Sequence, residues 1–275
     1  MADYGKNFVQ LHNHTHYSLL DGASKIPDLA KRAAELEMPA VGITDHGNMH
    51  GAYEMYTNCV ANGVKPIIGI EAYVTPETAR QDKSRVHWGT EAQRRDDVSG
   101  GGLITHLTMW AENDEGLVNL IKASSVANLE GRVMRYPRMD KEVLSTYSKG
   151  VIASSGCPSG IIQTRLRLGQ FDEALRAAGE FQDIFGKDNF FIELMDHGLT
   201  IENQVTDDLL TIAKKLDAPL LATNDSHYVH AEDAGAQDAM LCINSGSRLD
   251  DPDRFKFDGT GYYIKTAEEM RELFK

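Results

Sequence analysis

Along the chain, short runs of apolar and β-branched residues alternate with longer stretches whose apolar positions recur three and four apart. Runs at residues 8–12, 40–45, 66–74, 104–111, 151–155, 190–194 and 219–223 have the length and composition of buried strands. Between them, residues 26–37 read IPDLAKRAAELE, with one apolar helical face. Residues 114–128 read DEGLVNLIKASSVAN and open on acidic residues, as helix starts favour. Residues 171–185 and 201–216 repeat the helical pattern. Seven strand-then-helix units predict an α/β fold with parallel strands, because each crossover helix returns the chain to the same edge. That many units point to a distorted (β/α)7 TIM-like barrel, with an open sheet as the alternative; in a barrel a site forms at the C-terminal ends of the strands. Residues 75–102, rich in Arg, Asp and Gly, interrupt the pattern and read as a long loop or insertion. One domain over residues 1–275 is expected. Residues 248–275 end in a helical pattern that stops abruptly and read as the start of a connection to a further part of a longer chain.

The 275 residues are 41% apolar and 25% charged, which suits a folded globular chain. No apolar run approaches the roughly 18 residues that span a bilayer. The opening MADYGKNFVQLH lacks a signal-peptide pattern, so a cytoplasmic protein with no membrane partner is expected. Cys59, Cys157 and Cys242 are odd in number and far apart, which excludes a disulfide framework. Each is a buried small hydrophobe, a nucleophile or a metal ligand. Lys and Arg number 28 against 41 Asp and Glu, a net charge of −13. Such a chain is repelled by phosphate backbones, so a nucleic-acid substrate would need cations or neighbouring domains to supply attraction.

The placement of histidine changes the picture most. His12 and His14 end the first strand run, in LHNHTHYSLLDG, with Asp21 soon after. His46 follows the second run, Glu71 lies in the third, His106 in the fourth, and Cys157 follows the fifth. Asp225 and His227 follow the seventh, in ATNDSHY. Residues two apart on a strand face one way, so H-x-H and D-x-H can each grip one ion. A lone histidine at a strand end is usually a satisfied polar group, a lone buried cysteine is usually core, and Asp45 beside His46 could cap a helix. Glu71 in an apolar run is harder to explain without a partner. Ligand-type residues at successive strand ends are a pattern that chance seldom produces, and they point to a cluster of divalent ions. His16, His50, His87, His197 and His230 read as non-ligands, with His197, after the sixth run, the nearest to an exception.

The ordered set LHNHTHYSLLDGA, AVGITDHGNMHGA, KPIIGIEAYV, THLTMWAEN, GCPSG, LATNDSHYV and FKFDGTGYYIKTAEEM resembles the PHP (polymerase and histidinol phosphatase) domain. Within that family it is most similar to the domains at the N-terminus of bacterial DNA polymerase III alpha subunits, from about Phe8 to Leu273. The resemblance implies metal ligation by His12, His14, Asp21, His46, Glu71, His106, Cys157, Asp225 and His227, with no ligand position lost. It implies up to three divalent ions of zinc, manganese or iron. His12, His14, Glu71 and Asp225 would hold the first, and Glu71 would bridge to a second shared with His106 and Cys157. Asp21, His46 and His227 would hold the third. Asp21, His46, Glu71 and Asp225 would act in catalysis through these metals. The implied activity is metal-dependent phosphodiester hydrolysis, a 3′–5′ proofreading exonuclease acting on a DNA primer 3′ end. The implied partners are the remaining domains of an alpha subunit, a DNA-directed DNA polymerase whose nucleotidyltransferase site lies elsewhere, and other replicase subunits. The alternatives are a structural module bracing the polymerase and a free-standing small-molecule phosphatase. Arg165 and Arg167 are candidate phosphate contacts, set against a solvated helix face; residues 81–97 are a candidate DNA or domain contact, set against a solvated loop.

Overall fold

A computed structural model describes residues 8–93 and 101–275. The expected α/β class is what forms: strands alternate with helices in chain order through most of the molecule. The strands are β1 (Ala40–Ile43), β2 (Lys65–Val74), β3 (Thr105–Ala111), β4 (Arg138–Met139), β5 (Val151–Ser154), β6 (Phe190–Leu194) and β7 (Leu220–Ala222). The helices are α1 (Ile26–Glu35), α2 (Ala52–Ala61), α3 (Asp114–Glu130), α4 (Lys141–Thr146), α5 (Ile161–Arg167), α6 (Phe171–Phe185), α7 (Thr200–Leu216), α8 (Ala234–Ser245) and α9 (Ala267–Leu273). Hydrogen bonding orders the strands β1-β2-β3-β5-β6-β7, with β4 beside β2 off this path. The residues group into two compact units: Met1–Ile68 with Met195–Leu199 and Ala222–Lys275, and Gly69–Leu194 with Thr200–Leu221.

The first unit is built on α1, α2 and β1. Ile26, Leu29, Ala30 and Ala33 fall on one face of α1 and are fully buried with Met55 and Cys59 of α2, around Val41 and Ile43. Burial pushes the Cys59 thiol up to about 11, so it is an inert core residue. The run at residues 8–12 is not a regular strand, which corrects the expectation. It lies beside β1 through Gly42 N–H to Gln10 O at 2.8 Å and Thr44 N–H to Asn13 O at 3.0 Å. It continues as an isolated bridge to the far end of the chain, His14 N–H to Ser226 O at 2.8 Å and Ser226 N–H to His12 O at 3.1 Å. Gly42 permits this approach, because a Cβ there would collide with the Leu11 carbonyl.

The second unit departs from the all-parallel expectation in one strand. β2 is parallel to β1 and β4, and β5 is parallel to β6, but β3 is antiparallel to both β2 and β5. A parallel return needs a crossover helix, and among the described residues between β2 and β3 there is none. Asn113 caps α3 by accepting the Gly116 N–H at 3.0 Å. Residues 75–92 contain neither helix nor strand, as expected of a long loop, yet they are tied down. The buried Arg138 guanidinium donates to the carbonyls of Arg80 and Asp82 at 2.8 and 2.7 Å. Arg80 in turn pairs with Asp140, Glu130 and Glu142. Residues 94–97 of the stretch 81–97 lie outside the described residues.

Gly42→Ala should cost about 1–3 kcal/mol, the range for forcing extra volume into a packed site. A lowered urea midpoint with an unchanged slope is the expected result.

Candidate metal centre

In the first unit the backbone exchange between residues 12–14 and 226 sets two i, i+2 pairs side by side. His12 Nε2 and His14 Nε2 are 3.3 Å apart, and Asp225 Oδ1 lies 3.4 Å from the first and 3.0 Å from the second. A second group adjoins it: Asp21 Oδ2 is 2.8 Å from His46 Nε2 and 3.2 Å from His227 Nε2. The rings of His14 and His46 stack at 4.1 Å. His14, His46 and His227 each offer a ring nitrogen to one small volume. All six residues are therefore gathered by loops that follow strand-like segments, with His12 and His14, and Asp225 and His227, the two pairs that the H-x-H and D-x-H spacing singled out. Asp225 reaches its place with φ at +43°, a left-handed backbone that aspartate tolerates better than most residues.

The protonation pattern follows from burial and crowding. Burial, reinforced by His46 and His227, pushes His14 down to about 3, so its imidazole is neutral. Ser18 Oγ donates to Asp45 Oδ1 at 2.6 Å, which commits its proton. Ser18 Oγ can then only accept from His14 Nδ1, 3.2 Å away. This fixes the tautomer: Nδ1 carries the hydrogen, and Nε2 turns a lone pair toward His12 and Asp225. His227 Nδ1 donates to the Asp225 carbonyl at 2.8 Å, which leaves its Nε2 facing the Asp21 carboxylate. Burial opposes ionisation of Asp21, but His227 and His46 outweigh it and hold the carboxyl well below the usual range. Asp225 is likewise held down by His12, His227 and His14 against burial. Burial works to lower His227 too, yet Asp21 and Asp225 raise it.

These residues fit a divalent cation. Asp225 Oδ1 is buried with no hydrogen-bond partner among the described residues. Lone pairs of imidazole and carboxylate converge there at 3.0–3.4 Å. Donors at 2.0–2.1 Å from a tetrahedral ion stand about 3.3–3.4 Å apart, so the spacing is consistent with a ligand set.

In the second unit, Glu71 on β2 and His106 on β3 share a sheet face, because Tyr73 pairs with His106 and Glu71 with Thr108. Glu71 Oε1 is 3.1 Å from His106 Nδ1 and 3.1 Å from Cys157 Sγ, and the sulfur is 3.4 Å from Nδ1. Glu71 is fully buried. His106 sits at the start of its strand, within the fourth run as expected. The reversal of β3 brings that start level with the end of β2, and His106 N–H binds Ser159 O at 3.1 Å beside the Cys157 loop.

Some residues behave differently from the sequence reading. Asp45 caps no helix; its carboxylate accepts from Thr15 N–H at 2.7 Å, Thr15 Oγ1 at 2.7 Å and Ser18. The Ser18–Asp45 support of His14 carried no signal beyond Asp45 standing next to His46. Arg165 is no solvated helix residue: it pairs with Glu77 at 2.5 Å, donates to Gln170 and lies over the Trp88 ring at 3.9 Å. Arg167 donates to the Pro158 carbonyl at 2.6 Å. His197 Nε2 donates to the Asn224 carbonyl, 3.0 Å away, and the ring stacks on Tyr262.

Residues 10–197 match the family model described as the PHP domain, and the chain belongs to that family. It is 55% identical over 270 residues to the DNA polymerase III subunit alpha of Mycobacterium tuberculosis, covering 98% of this chain and 23% of that protein. The corresponding subunit of Borreliella burgdorferi is 40% identical over 98% of this chain and 22% of its own length. The chain thus spans about a quarter of the length of these relatives. Among solved structures, one from Bifidobacterium adolescentis, described as a metal-dependent phosphoesterase, is 16% identical with a TM-score of 0.46, over 98% of this chain and 96% of that one.

Ser18→Ala removes the acceptor that fixes the His14 tautomer. Divalent-ion affinity should fall by about 10–100-fold, the usual cost of losing such an outer partner, read by competition with a chromophoric chelator.

Proposed function

We propose that this chain is a metal-dependent phosphodiesterase, the 3′–5′ proofreading exonuclease part of a bacterial replicative DNA polymerase III alpha subunit, acting in the cytoplasm as one PHP domain on a DNA primer 3′ end. The observation that carries the reading is the set of donor atoms His12, His14 and Asp225 at 3.0–3.4 Å, with Asp21 bound between His46 and His227. Glu71, His106 and Cys157 form a second such set. In this reading all nine residues are ligands for up to three ions of zinc, manganese or iron. Ions held by these residues would supply hydroxide at neutral pH and neutralise charge on the phosphoryl and leaving oxygens.

The chain's own residues do the rest. Ser18 and Asp45 aim His14 Nε2, and the Asp225 carbonyl aims His227 Nε2, so neither ring has to turn when a cation arrives. Asp21, Glu71 and Asp225 bring the negative charge that retains cations next to an anionic substrate. The buried Thr15 and Ser18 hydroxyls keep Asp45 supplied with hydrogen bonds, so the support does not rearrange during turnover. Phosphate contact by Arg165 would require release from Glu77, which leaves Arg167 the better placed of the two. The remaining domains of the subunit and other replicase subunits would present the strand.

The test is shortening of a 5′-labelled primer–template with a 3′ mismatch by the metal-loaded chain. The parent should remove 3′ nucleotides. His14→Ala should lose more than the roughly 10–100-fold expected of an outer-shell change. No shortening by the parent, with metal demonstrably bound, would reject the exonuclease reading in favour of a metal-braced structural module. Turnover of p-nitrophenyl phosphate without primer shortening would point to a small-molecule phosphatase.

A further inference from the structure

Next to His227 lies an aromatic layer that the metal reading leaves unused. The segment after α8 carries Phe255, Lys256 and Phe257 in succession. It is anchored by Arg254, whose guanidinium grips the Asp238 carboxylate of α8 at 2.5 and 2.6 Å. The Phe257 ring meets the His227 ring edge-on, with centroids 4.7 Å apart at 81°. It also packs on Tyr262 at 4.7 Å, and His197 stacks on Tyr262 at 4.1 Å. Phe255 stands edge-on to Phe257 at 6.1 Å and is 60% exposed. Lys256, between the two rings, is exposed. A single exposed phenylalanine is ordinary on a protein surface. This one ends a ladder of rings that begins at a residue of the candidate metal centre, and a basic residue interleaves it.

We propose that Phe255, backed by Phe257, is a stacking platform for an unpaired nucleobase at the 3′ end of a DNA strand, with Lys256 beside it for a phosphate; this rests on the reading of the chain as a DNA 3′-end phosphodiesterase. Charge decides what kind of affinity the segment offers. The chain carries −13 overall, and around the platform Asp250, Asp251, Asp253 and Asp258 outnumber the basic residues. Arg254 is already committed to Asp238. Phosphate neutralisation therefore supplies little. Stacking on an aromatic ring does not depend on net charge and tolerates any base, which suits an activity that must accept every terminal nucleotide. A terminal base has to leave its duplex stack to bring the last phosphodiester to a protein centre, and a ring at that position replaces the stacking it gives up.

The probe is a single-stranded oligodeoxynucleotide with 2-aminopurine at its 3′ end and a non-hydrolysable terminal linkage, titrated into the metal-loaded chain. Binding should quench the 2-aminopurine emission. Phe255→Leu keeps the apolar bulk and removes the ring. It should weaken binding by about tenfold and abolish the quench, while Phe255→Trp restores both. The difference between Leu and parent should persist as salt rises, because stacking is not screened. A parent that neither binds nor quenches overturns the proposal. So does a Leu variant that behaves as the parent does, which would make Phe255 an apolar contact for a protein partner. Intact quenching with no cleavage of an ordinary linkage would instead fail the exonuclease reading and leave the platform standing.

Discussion

The chemistry of the first unit depends on two backbone hydrogen bonds. They join residues at nearly opposite ends of the chain, His14 N–H to Ser226 O and Ser226 N–H to His12 O. Neither segment makes a regular strand, so neither has the cooperativity of a full ladder. What holds them is the packing beneath: residues 10–13 hydrogen-bond to β1, and Gly42 leaves room for that contact. The exchange sets His12 and His14 against Asp225 and His227. It also closes a loop of about 200 residues, and the entropy of that closure must be met by core burial and by whatever binds the assembled donors.

Assembling those donors is costly without an ion. Neutral His14 points a lone pair at another imidazole and at a carboxylate, and Asp225 holds a left-handed backbone while burying an oxygen that lacks a hydrogen-bond partner among the described residues. Strain of this kind, of order 1–3 kcal/mol per outlier, persists where the surroundings over-determine it. Here the surroundings are Ser18, Thr15 and Asp45, a local hydrogen-bond system that turns both hydroxyls and the Thr15 N–H onto one carboxylate. The Asp45 carboxylate is hydrogen-bonded at both oxygens, while Asp225 Oδ1 has no such partner among the described residues. A cation that binds only the folded chain would relieve that imbalance, and its binding energy would add to stability.

The sequence made the site easier to read than the fold around it. Ligand chemistry is carried by residue type, so His12, His14, His46, Asp225 and His227 stand out by type and position, with Asp21 added by the family resemblance, and the structure draws these six together. Periodicity found α1, α3, α6 and α7 to within a few residues. Strand direction has no such local signature. β3 has the composition of a parallel strand and runs the other way, because the long segment before it provides no crossover helix among the described residues. His106 lies at the start of that strand, and the reversed direction is what brings the start to Glu71. Ser18 was illegible for another reason. A serine in a polar loop is ordinary, and only the geometry shows its proton committed to Asp45.

Arg165 shows where charge counting misleads. Basic residues following the Cys157 loop suggest a phosphate contact, yet Arg165 is nearly buried between Glu77 and the Trp88 ring, and Arg176 pairs with the same glutamate. Arg80 and Arg138 are likewise spent on holding the long segment. Several basic residues are therefore spent on pairing within the chain, on top of a balance of 28 against 41. An anionic polymer could approach such a surface only where cations are concentrated or where charge does not matter. Bound divalent ions would provide the first condition and an exposed aromatic ring the second. Long-range attraction of a strand would then have to come from outside these 275 residues.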